Sequence, residues 1–175
     1  MRPVTVHTSI SAPREAVFDY VGDLAGRVAY SDHYMTQVRL TRPRSHGTGA
    51  AARFRLQTPR GVEWAEIAIV EAERPRRIVE EGRIGRLGRS RFAAVYEFVR
   101  DVEGLTRVEL TVWTEPTTRI DALKESLGGR RWLRRQSKIA LDRLRMIFED
   151  EPSDVPLART TIAGYEPLKS PRFGD

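Results

Sequence analysis

The length, composition and charge of the chain exclude several classes of protein. Its 175 residues suit one domain better than two, and the lack of cysteine excludes disulfides, thiolate nucleophiles and zinc–thiolate sites. The net charge of +6 permits contact with polyanions, but none of the short nucleic-acid-binding motifs is present, so no nucleic-acid partner is expected. With no signal-like or membrane-spanning run, we expect a cytoplasmic protein without stable membrane insertion.

The N-terminal segment predicts one strand and two short helices. Apolar and polar residues alternate from Val4 to Ile10, which is the pattern of a half-buried strand. Ser11 as the N-cap and Pro13 in the first turn predict a short helix directly afterwards. A second short helix or irregular turn is expected from about residue 23 to 31.

Six extended segments follow, and the turn-forming clusters between them predict an antiparallel meander. Each has an alternating or apolar pattern typical of a strand. Their predicted ranges are 35–42, 50–57, 62–73, 78–81, 92–100 and 108–113. Residues 82–90 are expected to form a basic turn.

The most regular segment runs from Arg130 to Asp150 and predicts a long amphipathic helix. Gln136 and Arg143 interrupt its apolar stripe, so each is expected to find a polar partner or to face a cavity or water. Residues 151–175 hold four prolines and no periodicity, which favours a flexible or surface-draped tail.

Four segments in this order resemble the START-like superfamily, the polyketide cyclase/dehydrase and lipid-transport proteins: VTVHTSISAPREAVFDYVGDL, GTGAAARFRL, VEAERPRRIVEEG and YEFVRDVEGLTRVELTVWTEP. The resemblance covers roughly residues 3–149. It implies an α+β helix-grip domain over residues 1–150, in which a curled antiparallel sheet of about seven strands wraps around the C-terminal helix.

The resemblance also implies a cavity between the sheet and the helix, and strand alternation selects the residues that would line it. Binding or carrying of a lipid-like or polycyclic aromatic molecule is the leading hypothesis. The alternatives are an aromatase/cyclase or dehydratase acting on a polyketide-like substrate, and a regulatory interaction module. Each candidate could instead serve core packing. The candidates are Phe54, Trp64, Tyr96, Phe98, Leu110, Val112, Leu133, Gln136 and Ala140, with Tyr30, His33 and Tyr34 near the mouth.

An enzyme would need polar groups inside that cavity. His33 and Tyr34 are candidates for acid–base chemistry, and Arg53 and Glu66 are candidates for orienting a substrate if they point inward. The competing interpretation of His33 is a solvent-exposed histidine in a turn, and that of Arg53 and Glu66 is an ion pair on the outer face of the sheet. The three histidines are far apart in sequence, so no metal site is expected, and no cofactor is expected either. Homodimer formation stays open.

Overall fold

The computed structural model describes residues 2–85, 90–101, 104–115 and 128–149. Its framework is a seven-stranded antiparallel sheet in the order β1-β7-β6-β5-β4-β3-β2, followed in sequence by a long helix. β1 pairs with β7 and extends the meander of β2 to β7 by one strand. This sheet and the long C-terminal helix confirm the predicted helix-grip class. The elements are β1 (Val4–Ile10), α1 (Arg14–Gly22), α2 (Val28–Ser31), β2 (Met35–Leu40), β3 (Ala51–Thr58), β4 (Gly61–Glu73), β5 (Arg77–Ile84), β6 (Ser90–Arg100), β7 (Thr106–Glu115) and α3 (Gly129–Glu149).

The inner face of the sheet carries the core, as the alternating sequence pattern requires. Ile10, Ile69, Ile78 and Val108 are fully buried there, while their sequence neighbours face outward. Helix α3 packs against β1 and α2. Within the described ranges, none of the helices has the length and apolar character needed to cross a membrane.

Helix α3 is rotated relative to the predicted stripe. Its buried residues are Ser137, Ala140, Leu141 and Leu144, whereas Gln136 and Arg143 lie at the edge of the buried face. Arg143 forms an ion pair with Asp32 beside α2, so its interruption of the stripe is explained by a polar partner. The predicted helical start at residues 120–127 and the predicted tail at 151–175 lie outside the described residues.

Two local predictions at element ends are wrong. Pro13 occupies the N-cap position of α1 without a side-chain hydrogen bond, so Ser11 is not the cap. Strand β5 continues to Ile84, so the first part of the predicted turn at 82–90 belongs to the sheet. The reason is Gly82, where a Cβ atom would lie 2.0 Å from the Glu66 carbonyl oxygen. Only glycine permits this approach of β5 to β4.

Candidate functional site

A cavity of about 330 Å³ lies between the inner face of the sheet and the first turns of α3. Apolar and aromatic side chains from β2, β3, β5, β6, β7 and α3 make most of its wall. The exposed turn at Pro59 and Arg60 lies on its wall and marks the opening. The main wall residues are Met35, Phe54, Leu56, Ile84, Phe92, Ala94, Tyr96, Leu110, Val112, Trp132 and Leu133.

An ion pair between Arg27 and Glu80 lies in the cavity wall. Arg27 is 3% exposed and Glu80 is 1% exposed. Arg27 Nη1 donates to Glu80 Oε2 at 2.8 Å, and Nη2 donates to Glu80 Oε1 and, at 3.2 Å, to the Val21 carbonyl oxygen. Burial by itself lowers the pKa of Arg27, but the Glu80 carboxylate together with Tyr30 and Tyr96 outweighs it and holds that pKa well above the usual value. The guanidinium therefore stays charged inside the protein.

Two tyrosines place phenol groups at the cavity. Tyr96 lies beside the ion pair, with the Arg27 guanidinium 5.5 Å from its ring centroid. Tyr34 packs edge-on against Trp132 with ring centroids 6.2 Å apart. Burial raises the pKa of both phenols, so each stays protonated at neutral pH and can donate a hydrogen bond.

His33 connects the segment after α2 to α3 and is not part of the cavity wall. Its Nε2 donates to the Gln136 carbonyl oxygen at 3.3 Å, and its ring lies 4.8 Å from that of Tyr34. Nδ1 is buried without a hydrogen-bond partner in the part of the chain that the structure describes. Burial accordingly lowers the pKa of His33, since protonation would place an unpaired N–H in that position.

Acidification is therefore expected to destabilise the protein through His33. Because the pKa is lower in the folded than in the unfolded state, the unfolded state binds more protons as the pH falls below about 6.5. The stabilising contribution of neutral His33 is present above that pH and is lost below it. Urea unfolding across this range should show a smaller fall in stability for His33→Gln than for the wild type. Parallel pH profiles would contradict the assignment.

The structure brings together some of the residues selected from the sequence. Phe54, Tyr96, Leu110, Val112, Leu133 and Tyr34 all line the cavity. Tyr30, Phe98 and Ala140 are buried in the core instead, and Phe98 packs edge-on against Phe18. The side chain of Gln136 does not reach the cavity wall, because the rotation of α3 places Ser137 there.

Three other candidates lie on the outer face of the sheet. Trp64 is 43% exposed and does not line the cavity, and Arg53 and Glu66 form an exposed ion pair at 3.5 Å, which is the competing interpretation of these two residues. The register explains this placement: Ala65 pairs with buried Phe54, which forces Trp64 and Glu66 to the opposite face.

Sequence reasoning missed the buried ion pair. Glu80 shares the inner face of β5 with Ile78, so strand alternation could have identified it as a buried carboxylate. Arg27 precedes a helix of four residues, where no periodic pattern indicates which way a side chain points.

The curled seven-stranded sheet, the long C-terminal helix and the cavity between them define a protein of the helix-grip class. Within that class, the chain belongs to the family described as polyketide cyclase / dehydrase and lipid transport, whose model matches residues 1–149. No curated protein matches the chain significantly.

Several solved structures share the fold. The protein TTHA0849 from Thermus thermophilus is 20% identical, with 82% of this chain and 94% of that one covered and a TM-score of 0.64. The major latex-like protein 151 from Panax ginseng is 10% identical, with coverage of 84% and 97% and a TM-score of 0.66. The di-domain ARO/CYC protein BexL of the BE-7585A biosynthetic pathway is 20% identical, with coverage of 86% and 50% and a TM-score of 0.64.

Proposed function

We propose that the protein binds or carries a compact hydrophobic small molecule in the cavity between the sheet and α3. The observation that carries this proposal is the cavity itself, about 330 Å³ in volume and walled mainly by aromatic and aliphatic side chains. Proteins with well-packed cores have few voids larger than a water molecule, so a space of this size is not a packing defect. Membership of a family that includes lipid transport supports the same function.

The dimensions and polar groups of the cavity narrow the ligand class. At about 330 Å³ the cavity lies at the lower end of the volume range of small-molecule pockets, about 300–1,000 Å³. That space suits a compact aromatic molecule or a single short chain better than a two-chain lipid. Tyr34 and Tyr96 can donate hydrogen bonds to a ligand carbonyl or hydroxyl oxygen and so fix its orientation.

A cyclase or dehydratase activity is the second candidate, and the polar wall of the cavity favours it. Tyr34 and Tyr96 could polarise a carbonyl oxygen, while the Arg27–Glu80 pair supplies fixed charges beside them. Of the four candidate catalytic residues selected from the sequence, Tyr34 alone lines this cavity.

Native mass spectrometry of the full chain tests both candidates. The panel comprises a short-chain fatty acid, bicyclic and tricyclic aromatic polyketides and a diacyl phospholipid. We expect one-to-one adducts with the compact aromatic ligands and none with the phospholipid. A bound or released ligand that has lost one water would favour the dehydratase. The absence of adducts across the panel would contradict the proposed function.

A further inference from the structure

The outer face of the sheet, opposite the cavity, carries an exposed strip along β4, in which Val62 and Trp64 are neighbours while Glu66 and Ala68 separate Trp64 from Val70. Val62, Trp64 and Val70 are 45%, 43% and 44% exposed, which is unusual for three large apolar residues on one strand. No described helix covers this face, since α3 packs against β1 and α2. The strip begins directly after the turn at Pro59 and Arg60, which lies at the cavity opening.

Arginines from the neighbouring strands surround the strip. Arg39 pairs directly with Arg53 across β2 and β3, and Arg83 pairs directly with Arg91 across β5 and β6. Like charges placed directly opposite each other destabilise a sheet, and here Glu66, between Arg53 and Arg83, and Glu115, opposite Arg91, compensate part of that repulsion. In the half of the outer face around Trp64, the five arginines Arg39, Arg53, Arg55, Arg83 and Arg91 outnumber Glu66, Glu81 and Glu115, whereas in the other half Glu71, Glu73, Glu97 and Glu109 outnumber Arg77 and Arg107.

Trp64 lies at the centre of this basic surface. The Arg53 guanidinium is 4.5 Å from its ring centroid, and that of Arg55 is 5.7 Å away. The Arg53 side chain is 49% exposed and also forms the exposed ion pair with Glu66 at 3.5 Å. The surface therefore combines an aromatic ring, two valines and accessible guanidinium groups.

We propose that the half of this outer face around Trp64 docks on an anionic membrane surface. Tryptophan favours the headgroup region of a bilayer, valine favours the adjoining apolar layer, and guanidinium groups bind lipid phosphates in bidentate geometry. The choice of a membrane over another anionic partner rests on the proposed function, because the strip adjoins the opening of a cavity suited to a hydrophobic ligand. Docking would hold the cavity opening near the bilayer, where a hydrophobic ligand concentrates.

The same features argue against two other occupants. A second copy would meet this face through a two-fold axis, which would bring the arginines of both copies together. A single-stranded nucleic acid would need several exposed aromatic platforms for successive bases, and Trp64 is the only exposed tryptophan, tyrosine or phenylalanine among the described residues.

Co-sedimentation of the full chain with lipid vesicles tests the docking surface. We expect binding to vesicles of equal parts phosphatidylcholine and phosphatidylglycerol, weak binding to phosphatidylcholine alone, and a loss of binding at high salt. Each arginine near an anionic surface contributes about fivefold to partitioning, so Arg83→Gln with Arg91→Gln should weaken binding about 25-fold. Trp64→Ala should weaken it as well.

The matched control is Arg134→Gln with Arg135→Gln, which removes the same charge from exposed positions on α3. This variant should bind the mixed vesicles nearly as well as the wild type. An equal loss in both double variants, no binding to the mixed vesicles, or binding of a single-stranded oligonucleotide in place of vesicles would overturn the proposal. Ala94→Leu narrows the cavity and should keep vesicle binding. Loss of ligand binding with vesicle binding retained would therefore concern the cavity alone, and loss of vesicle binding with ligand binding retained would concern the docking surface alone.

Discussion

Glu80→Ala is expected to lower the free energy of unfolding by about 3–5 kcal/mol. The substitution leaves the Arg27 guanidinium buried at 3% exposure without the carboxylate that accepts two of its hydrogen bonds. Removing one partner of a buried ion pair is far more costly than removing both, because the remaining charge loses its compensation. Urea unfolding monitored by circular dichroism measures the change.

Two variants control this measurement. Glu81→Ala removes the neighbouring carboxylate from the exposed side of β5 and should change stability by less than about 0.5 kcal/mol. Arg27→Met combined with Glu80→Leu removes both charges and should recover most of the lost stability. A Glu80→Ala protein as stable as the Glu81→Ala protein would show that the ion pair does not stabilise the fold.

Ala94→Leu is expected to weaken ligand binding by about tenfold to two-hundredfold while retaining the fold. Ala94 is buried in the centre of β6 and lines the cavity between Phe92 and Tyr96. Leucine adds three carbon atoms that can extend into the open space, so the larger side chain competes with the ligand and not with packed neighbours. Titration of the best ligand from the native mass spectrometry panel gives the ratio of dissociation constants.

Ala93→Leu is the matched control, because Ala93 is the preceding residue on the same strand and faces the outer side. It should bind the ligand with wild-type affinity. Equal affinity of the Ala94→Leu and Ala93→Leu proteins would place the ligand outside the cavity.

The strand pattern predicted the inner face of the sheet well where apolar and charged residues alternate cleanly. Leu110 and Val112 were placed correctly because Glu109, Thr111 and Trp113 occupy the intervening positions of β7. On β4 neither face is cleanly polar, so a tryptophan alone did not reveal its side. Ala65, Ile67 and Ile69 do indicate the side of Trp64. These three residues share the inner face, where Ala65 pairs with Phe54, and Trp64 lies at an alternate position that must therefore face outward.

The helix was harder to orient than the strands. Successive residues of an α-helix differ by about 100° around the axis, so Gln136 and Ser137 both lie near the edge of the apolar stripe. Only the packing of α3 against β1 and α2 decides which of them turns inward. Sequence periodicity alone therefore does not predict whether Gln136 or Ser137 faces the cavity.

The central claim is that a ligand occupies the space between the sheet and α3. Methyl chemical-shift mapping during ligand titration tests it most directly, because methyl groups are present on both faces of the sheet. The account predicts large shifts at Leu56, Leu110 and Val112, which line the cavity, and none at Val62 and Val70 on the outer face. Shifts confined to the outer-face valines would contradict it.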